Sequence, residues 1–333
     1  CNGDKRGAIN LTVRGGVAPY AYSWSNGAIT EDISQVAAGN YTVTVLDSKG
    51  CSQSVSAVIS EPPALEAKLL SVKHIACFGD KAGAVSIDVA GGVKPYLFKW
   101  SNGSTTQNIS NVVAGTYTVD VTDKNGCTQK ITTTISQPAK LTSVLASMKN
   151  VSCYNGSDGS ANVTVTGGTA PFKYKWNNGA ITQDLMNVVA GSYSLSIIDG
   201  NGCRDSSISV TLKQPAALDV KVNKVTDIVR YGQNTGAVDI NVAGGVAPYA
   251  YSWSNGGTTQ DVSAMPGGNY SVLVTDANGC EKTVTATINQ PPALSVKLAS
   301  IQDIKCNGDK TGSISITVSG GVTPYTYKWN SGD

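Results

Sequence analysis

Eight cysteines are the side chains of this 333-residue chain whose type and spacing point most directly to chemistry. Two thiols that meet in an oxidising compartment form a disulfide, which stabilises a small domain by about 2 to 4 kcal/mol. Three pairs are separated by 50 residues, and Arg230 stands where a fourth pair, with Cys280, would begin. The candidates for structural disulfides are Cys1, Cys51, Cys77, Cys127, Cys153, Cys203, Cys280 and Cys306.

Short aspartate loops begin at four of these cysteines and raise the question of a calcium site. The segments CNGDKRG, CFGDKAG, CYNGSDG and CNGDKTG contain Asp4, Asp80, Asp158 and Asp309. Calcium takes about six to eight oxygen ligands, whereas each loop offers a single recurring carboxylate. We therefore predict Asp-Gly turns here, and neither a metal nor a cofactor. The aspartates of DSKG, DKNG, DGNG and DANG are predicted to form turns as well.

The sequence contains no repeated catalytic arrangement. His74 is the only histidine, so a histidine-based site cannot recur along the chain, and we assign it a structural or surface role. No G-x-S-x-G segment, Walker loop or pair of carboxylates occurs, and we expect no enzyme. Basic and acidic residues are balanced, 25 against 23, which predicts no affinity for nucleic acid. No apolar run is long enough to predict a membrane span.

Aromatic residues recur with the same period as the cysteines. The five tryptophans are separated by 76, 76, 77 and 76 residues. Facing outward, these rings would form a ladder that stacks on a polysaccharide; facing inward, they would be the core. We favour the core, because aromatic burial, at about 25 cal/mol per Å², supplies most of the stabilisation available to so small a unit. The predicted core aromatics are Trp24, Trp100, Trp176, Trp253, Trp329, Tyr41, Tyr117, Tyr193 and Tyr270.

The whole chain is a tandem repeat. The segment GGVAPYAYSWSNG occurs at 15–27 and again, unchanged, at 244–256, with variants between. Such a period defines the structural unit directly. Because the chain begins and ends inside a unit, we expect it to belong to a longer polymer. The predicted units are an incomplete repeat at 1–62 without its first strand, complete repeats at 63–138, 139–215 and 216–292, and an incomplete repeat at 293–333 without its later strands.

Each repeat is expected to contain seven short strands or slightly fewer. Val85, Ile87 and Val89 alternate with polar residues, as in half-buried strands, and Asn-Gly and Gly-Gly pairs mark turns. A tryptophan on an early central strand and a tyrosine opening a late one are typical of an immunoglobulin-like sandwich with a tyrosine corner. The predicted fold is all-β: tandem immunoglobulin-like β-sandwich repeats of about 76 residues strung end to end.

The single 77-residue interval locates one extra residue. The distance from tryptophan to the following cysteine is 27 in each unit that contains both, and the distance from the linker proline to the next cysteine position is 15. The extra residue must therefore lie between Cys203 and Gln214. A strand accommodates an insertion as a β-bulge, which we predict in the last strand of the third repeat and not in its neighbours.

The segments GGVAPYAYSWSNG, AAGNYTVTVLDSKGC and C-N-G-D-K-x-G resemble the SprB-type repeat of cell-surface gliding adhesins in the Bacteroidetes, which is related to the polycystic-kidney-disease-type sandwich domains. The resemblance covers essentially the whole chain. It implies a secreted, extracellular protein at the cell surface, exported by the type IX pathway. It also implies a filament that surface motors move along the cell.

Two functions remain open at this point. The first is a structural and adhesive stalk, which needs many equivalent links and no special one. Its partners would be a surface polysaccharide or a solid substratum, with the gliding machinery reached through regions outside this sequence. The alternative is a multivalent carbohydrate-binding array, in which many weak sites together bind tightly.

The pairing of the cysteines depends on how many strands separate them. Each strand reverses the chain, so four strands return it to the same end of the sandwich, whereas five leave it too far for the roughly 4.4 to 6.8 Å that a disulfide spans between Cα atoms. Only 17 residues separate Trp100 from Tyr117, room for one good strand or two very short ones. Four strands between Cys77 and Cys127 would give bridges within repeats, which we favour, with Cys280 free. Five would join neighbours, and free thiols are the third possibility. The pairs between neighbours would be Cys1 with Cys127, Cys77 with Cys203, and Cys153 with Cys280.

Overall fold

The computed structural model describes residues 1–331, and every regular element in it is a β-strand. No helix forms in this part of the chain, and so none long and apolar enough to cross a membrane. Similar groups of short strands recur with the period of the sequence. The fold is therefore all-β, built from tandem immunoglobulin-like repeats, as predicted.

The strands of each repeat follow in chain order. The first repeat contains β1 (Gly7–Ile9), β2 (Ala21–Trp24), β3 (Ile33–Val36), β4 (Gly39–Leu46) and β5 (Ser52–Ile59). The second contains β6 (Glu66–Lys73), β7 (Gly83–Ala90), β8 (Leu97–Trp100), β9 (Ile109–Val112), β10 (Gly115–Thr122) and β11 (Thr128–Ile135). The third contains β12 (Thr142–Lys149), β13 (Gly159–Thr166), β14 (Lys173–Trp176), β15 (Leu185–Val188), β16 (Gly191–Ile198), β17 (Arg204–Asp205) and β18 (Ser209–Leu212). The fourth contains β19 (Asp219–Thr226), β20 (Gly236–Ala243), β21 (Ala250–Trp253), β22 (Val262–Met265), β23 (Gly268–Thr275) and β24 (Glu281–Ile288). The fifth contains β25 (Ser295–Gln302) and β26 (Ser313–Ser319).

Two small sheets face each other in the second repeat. One has the order β6-β7-β9 and the other β8-β10-β11. Val85 and Ile87 of the first sheet share a buried cluster with Trp100 and Val119 of the second. They do so because alternate residues of a strand point to the same face. The fourth repeat has the equivalent sheets β19-β20-β22 and β21-β23-β24, whereas the first has β1-β3 and β2-β4-β5, and the fifth has β25-β26.

Strands β8 and β9 together make a single pass along the sandwich. β8 pairs antiparallel with the second half of β10, and β9 pairs antiparallel with the first half of β7. β7 and β10 begin at the same end, because a Cβ on Gly83 would lie 2.9 Å from Cγ2 of Ile135, which pairs with Gly115 at the start of β10. The chain therefore changes sheets between β8 and β9 without reversing direction.

Two side chains complete the hydrogen bonding of β7 beyond the point where β9 pairs with it. Gln107 Nε2 donates to the carbonyl of Ile87 at 2.8 Å, and the Ile87 amide donates to Oδ1 of Asn108 at 3.0 Å. Buried backbone groups need such partners, so the side chains replace a neighbouring strand. The same pair of bonds recurs at Val163 with Gln183 and Asp184, and at Ile240 with Gln260 and Asp261.

The tryptophans of the first four repeats are buried, whereas Trp329 is 37% exposed. The indole N–H also finds a partner inside: Trp100 Nε1 donates to the carbonyl of Thr106 at 2.8 Å. Within residues 1–331, the fifth repeat has no strand equivalent to β10 that covers Trp329, so the prediction of a core position for this residue is wrong. The tryptophan strand is an edge strand of its sheet, not a central one as expected.

A tyrosine opens the late strand of four repeats and fastens it to the preceding turn. Each hydroxyl donates to the carbonyl four residues upstream at 2.8 to 2.9 Å. This is the geometry of a tyrosine corner, which fixes the turn between β9 and β10 and its equivalents. The donors are Tyr41, Tyr117, Tyr193 and Tyr270, and the acceptors are Ala37, Val113, Val189 and Pro266.

The last strand of the third repeat is broken where the extra residue was predicted. Its two pieces, β17 and β18, are separated by residues 206–208, between Cys203 and Gln214. The equivalent strands β11 and β24 pair with their neighbours through eight consecutive residues without a shift. The insertion therefore interrupts the strand altogether, a larger irregularity than the single bulge expected.

The chain divides into two compact units that do not follow the repeat boundaries. The first comprises Cys1–Thr142, Val165–Lys173 and Ile198–Asp205; the second comprises Ser143–Thr164, Tyr174–Ile197 and the residues from Ser206 onward. Loops from one end of the third repeat thus group with the second repeat. The boundaries proposed from the sequence, after residues 62, 138, 215 and 292, stay predictions.

Candidate functional site: the junctions between repeats

Three disulfides join the first four repeats, each to the next. They link Cys1 to Cys127, Cys77 to Cys203, and Cys153 to Cys280, with Cα separations of 5.5, 5.5 and 5.7 Å. These separations suit a disulfide. In each case the first cysteine of one repeat meets the second cysteine of the following repeat. Cys51 and Cys306 are exposed free thiols.

The favoured prediction of bridges within repeats is wrong, and Cys280, which it left free, is bridged. Four strands do separate Cys77 from Cys127, which is the count that was expected to bring them together. However, β8 and β9 make only one pass between them, so the chain runs the length of the sandwich three times. An odd number of passes leaves Cys77 and Cys127 at opposite ends of the repeat, each beside a neighbouring repeat.

The contacts of the linkers identify these two ends. At the upstream end, where the chain arrives from the preceding repeat, Gly92 donates its amide to the carbonyl of Pro63 at 2.9 Å. At the downstream end, where the chain leaves, the amide of Gly79 donates to Oε1 of Gln137 at 2.8 Å. Cys77 therefore lies at the downstream end, which faces the next repeat.

A buried aspartate at the upstream end positions the second cysteine. Asp123 is 3% exposed, and its carboxylate accepts hydrogen bonds from the amides of Val93, Asn125 and Cys127 at 2.8 to 2.9 Å. Burial acts to raise the pKa of Asp123, but the amide donors outweigh it and hold the pKa below its usual range. The charged carboxylate thus ties the cysteine turn to the Gly-Gly loop. Its equivalents are Asp47, Asp199 and Asp276.

The sequence interpretation of this aspartate as a turn former was incomplete. The turn exists, since the amide of Gly126 donates to the carbonyl of Asp123 at 3.0 Å. The burial was missed, although the strand pattern carries a signal for it. Tyr117, Val119 and Val121 occupy alternate, inward positions, and Asp123 is the next member of that series.

The Gly-Gly pair is required where the linker packs against the loop. Gly91 has a φ of +67°, and a Cβ there would lie 1.8 Å from the carbonyl oxygen of Ala64. Only glycine tolerates both the backbone conformation and the close approach. In the fourth repeat, Gly244 would place a Cβ 1.9 Å from the oxygen of Ala217. The repeated Gly-Gly segment is therefore the surface against which the linker packs.

Polar side chains add to the covalent link at the downstream end. Asn278 Nδ2 donates to the carbonyl of Ser152 at 2.8 Å, beside Cys153, and Asn201 Nδ2 donates to the carbonyl of Ala76 at 3.0 Å, beside Cys77. A linker side chain also accepts from the loop that follows the first cysteine position. These acceptors are Glu61, Gln137, Gln214 and Gln290.

His74 also has a place in a junction. The amide of Ser136, in the linker, donates to Nδ1 of His74 at 3.1 Å. Asn150 and Asp227 accept the corresponding linker amides in the third and fourth repeats. The imidazole therefore serves as a hydrogen-bond acceptor that amide and carboxylate side chains replace elsewhere.

The aspartate loops show protein partners where calcium was considered. The Asp158 carboxylate accepts hydrogen bonds from Lys149 Nζ at 2.8 Å and from the Ser152 amide at 2.9 Å, and both bonds lower the pKa of Asp158. Asp4 forms an ion pair with Arg6. Within residues 1–331, no group of three or more histidine, cysteine, aspartate or glutamate side chains is arranged to hold a metal ion.

Comparison with known proteins finds one matching family. The profile of the family described as the SprB repeat matches residues 1–29, 70–105, 145–181, 222–258 and 298–333, which together exceed half of the chain. A search of curated protein sequences finds no match.

Similarity to solved structures is weak but extends over several domains. The chain is 11% identical to immunoglobulin domains 1–5 of Sidekick-1, with a TM-score of 0.32 over 85% of this chain and 76% of that one. It is 12% identical to three N-terminal domains of the bacteriophage RB49 outer capsid protein Hoc, with a TM-score of 0.32 over 68% and 96%. For protocadherin gammaB7 EC3-6, the identity is 12% and the TM-score 0.31 over 83% and 94%. These values support no functional conclusion.

Proposed function

We propose, from the premise that this chain belongs to the SprB repeat family, that it is the stalk of a large secreted adhesin at the cell surface. The observation that carries the proposal is the covalent junction: three disulfides each attach one repeat to the next. Repeat proteins of this kind consist of equivalent links that hold their neighbours. Disulfides persist outside the cytosol, which supports an extracellular location.

The polar side chains buried within the repeats also favour a structural role. Of the four buried polar residues within 1–331, the three aspartates bind backbone amides at the junctions: Asp123, Asp199 and Asp276. Their charges serve to fasten loops, which is what a stalk requires. The stalk would be exported by the type IX pathway, carry adhesion to a polysaccharide or solid surface, and be moved by the gliding machinery through regions outside this sequence.

Antibody-coated beads on live cells test the location and the motion together. An antibody raised against the 333-residue chain should bind intact cells, and beads that carry it should travel along the cell surface. Beads that bind but stay in place would remove gliding from the proposal and leave the stalk. Labelling that requires permeabilised cells would overturn the surface location itself.

A multivalent carbohydrate-binding array is a second candidate, favoured by a different set of rings. The buried tryptophans are unavailable for stacking, but Phe78, Tyr154 and Tyr231 are about half exposed and follow the first cysteine position in three successive repeats. Aromatic faces of this kind suit sugar rings, and three weak sites would act together. Glycan-array binding that is lost in F78A/Y154A/Y231A, and retained when exposed Leu70 is replaced by alanine, would support the array.

A further inference from the structure

We infer that the disulfides give this chain a mechanical function: they carry tension along a short covalent path that bypasses most of each folded repeat. The inference goes beyond the proposed stalk, because it depends only on the connectivity of the three bridges. It would hold wherever the three disulfides stay oxidised, whatever the chain binds.

The path follows alternate junctions. It runs from Cys1 across a disulfide to Cys127, along 26 residues to Cys153, across a disulfide to Cys280, and along 26 residues to Cys306. It therefore has 52 residue steps, whereas the unbridged chain from residue 1 to residue 306 has 305. Since an extended chain spans at most about 3.3 to 3.6 Å per residue, the bridges reduce the greatest possible extension about sixfold.

Most of this path is already extended in the folded protein. The segment from Cys127 to Cys153 contains β11 and β12, and the segment from Cys280 to Cys306 contains β24 and β25, with eight residues in each strand. A strand rises about 3.2 to 3.4 Å per residue, close to the limit for a polypeptide. These four strands can therefore lengthen little under tension, and the residues outside them supply most of the extension available to the path.

The remaining parts of the repeats lie off the path. Residues 77–127 contain β7 to β10, with Trp100, Val119 and most of the core of the second repeat. Residues 1–51, 153–203 and 230–280 are the equivalent segments. The bridges transmit the force without loading these segments. Unfolding of the segments would therefore add no length between residues 1 and 306.

The remaining disulfide, Cys77–Cys203, belongs to a second path that alternates with the first. This second path runs from Cys51 along 26 residues to Cys77 and crosses the disulfide to Cys203. This path stops in the fourth repeat, where Arg230 replaces the cysteine that would continue it. Removal of the Cys77–Cys203 bridge should therefore leave the first path at 52 steps.

Single-molecule force extension of the whole chain tests the inference. The chain is held by tags at its two termini in a C51S/C306S background, so that no free thiol can exchange, and the tail after residue 306 contributes equally throughout. The oxidised chain should reach a limit of 52 steps between residues 1 and 306, and a reductant should raise this limit to 305. Extension of the oxidised chain well past the first limit would overturn the inference.

Two matched variants, each lacking one bridge, separate the path from a general loss of stability. C77S/C203S should keep the limit of 52 steps. C153S/C280S should raise it about threefold, to 153 steps, because the shortest remaining route returns from Cys127 to Cys77 and crosses to Cys203. Equal lengthening in the two variants would contradict the assignment of the paths. Bridges within repeats would instead set a limit of 155 steps in the parent chain.

Discussion

The loops that begin at Cys153 and at Arg230 occupy the same place in successive repeats, but only the first is bridged. Both loops have the same turn, in which the amide three residues later donates to the carbonyl of the first residue. The Gly156 amide donates to Cys153 at 2.9 Å, and the Gln233 amide donates to Arg230 at 3.3 Å. Both also bind the following linker, through Gln214 at 2.8 Å and Gln290 at 3.2 Å. Non-covalent contacts therefore shape the loop, and the disulfide attaches it to the next repeat.

Loss of the bridge from the first of these loops should have the largest effect. C153S/C280S removes a cross-link between residues 127 positions apart, and we expect the free energy of unfolding to fall by about 2 to 5 kcal/mol. Urea unfolding without reductant measures the change. Hydrogen exchange should show faster opening around Ser152 and Asn278, with the Arg230 loop unaffected. Equal changes in both loops would mean that the bridge acts on more than its own junction.

Substitution of Gly244, against which the linker packs in the fourth repeat, should have the next largest effect. G244A should destabilise the chain by about 3 kcal/mol, because alanine must adopt a positive φ and its Cβ would meet the oxygen of Ala217. G256A is the matched control: its φ is +87°, but nothing lies within 4 Å of the added Cβ, so only the backbone cost of about 1 kcal/mol applies. Thermal unfolding of the two variants should differ accordingly, and equal losses would show that the linker does not need the glycine.

Acid should reduce the stability contributed by Asp276, the aspartate that orients the bridged Cys280. The amides of Cys280, Val246 and Asn278 overcome burial and lower the pKa of Asp276. A lowered folded pKa contributes stability that is complete above the unfolded value of about 3.9 and is lost as pH falls through the folded pKa. D276N should therefore be less stable at neutral pH and should lose less stability on acidification than the parent.

The equivalent substitution beside a free cysteine sharpens this test. The pKa of Asp47 is lowered by the amide of Cys51 first, but Asp47 is only half-buried and Cys51 is unbridged. Burial opposes the amide donors, and it opposes them less at Asp47 than at Asp276, so D47N should shift the acid limb of the stability curve more than D276N. Chemical unfolding between pH 2 and 7 compares the two, and a smaller shift in D47N would contradict this role of burial.

The smallest effect concerns the unbridged loop itself. R230C places a thiol on an exposed position of a loop that already has its turn, so stability should change by no more than about 0.5 kcal/mol. The new thiol should react with maleimide under native, non-reducing conditions, whereas Cys153 should not. Protection of the new thiol would reveal a partner for this loop.

The sequence predicted what depends on period and alternation. The spacing of the tryptophans located the repeats, and alternation indicated an inward Val85 and Ile87. Arg230 was identified as the missing cysteine, and the irregular strand was located between Cys203 and Gln214. These features are local, because each depends on residues close together in the chain and on the pleat of a strand.

The cysteine pairing could not be predicted in the same way, because it depends on direction and not on the number of strands. Whether β8 and β9 reverse or continue is decided by a change of sheet between them. That change is supported by Gln107 and Asn108, whose side chains bind the backbone of Ile87. Polar side chains in a loop commonly indicate solvent exposure, so the pattern alone did not identify this role.

The separation of Cys77 and Cys127 within one folded repeat also governs how the correct bridges arise. While that repeat is folded, its own two thiols are held apart, and the partner of Cys77 lies 126 residues later in the chain. Folding before oxidation therefore keeps Cys77 from the wrong partner in its own repeat, so that Cys77 can pair with Cys203 of the next repeat. An unfolded repeat oxidised too early would close on itself, and the chain would lose the link it needs to the following repeat.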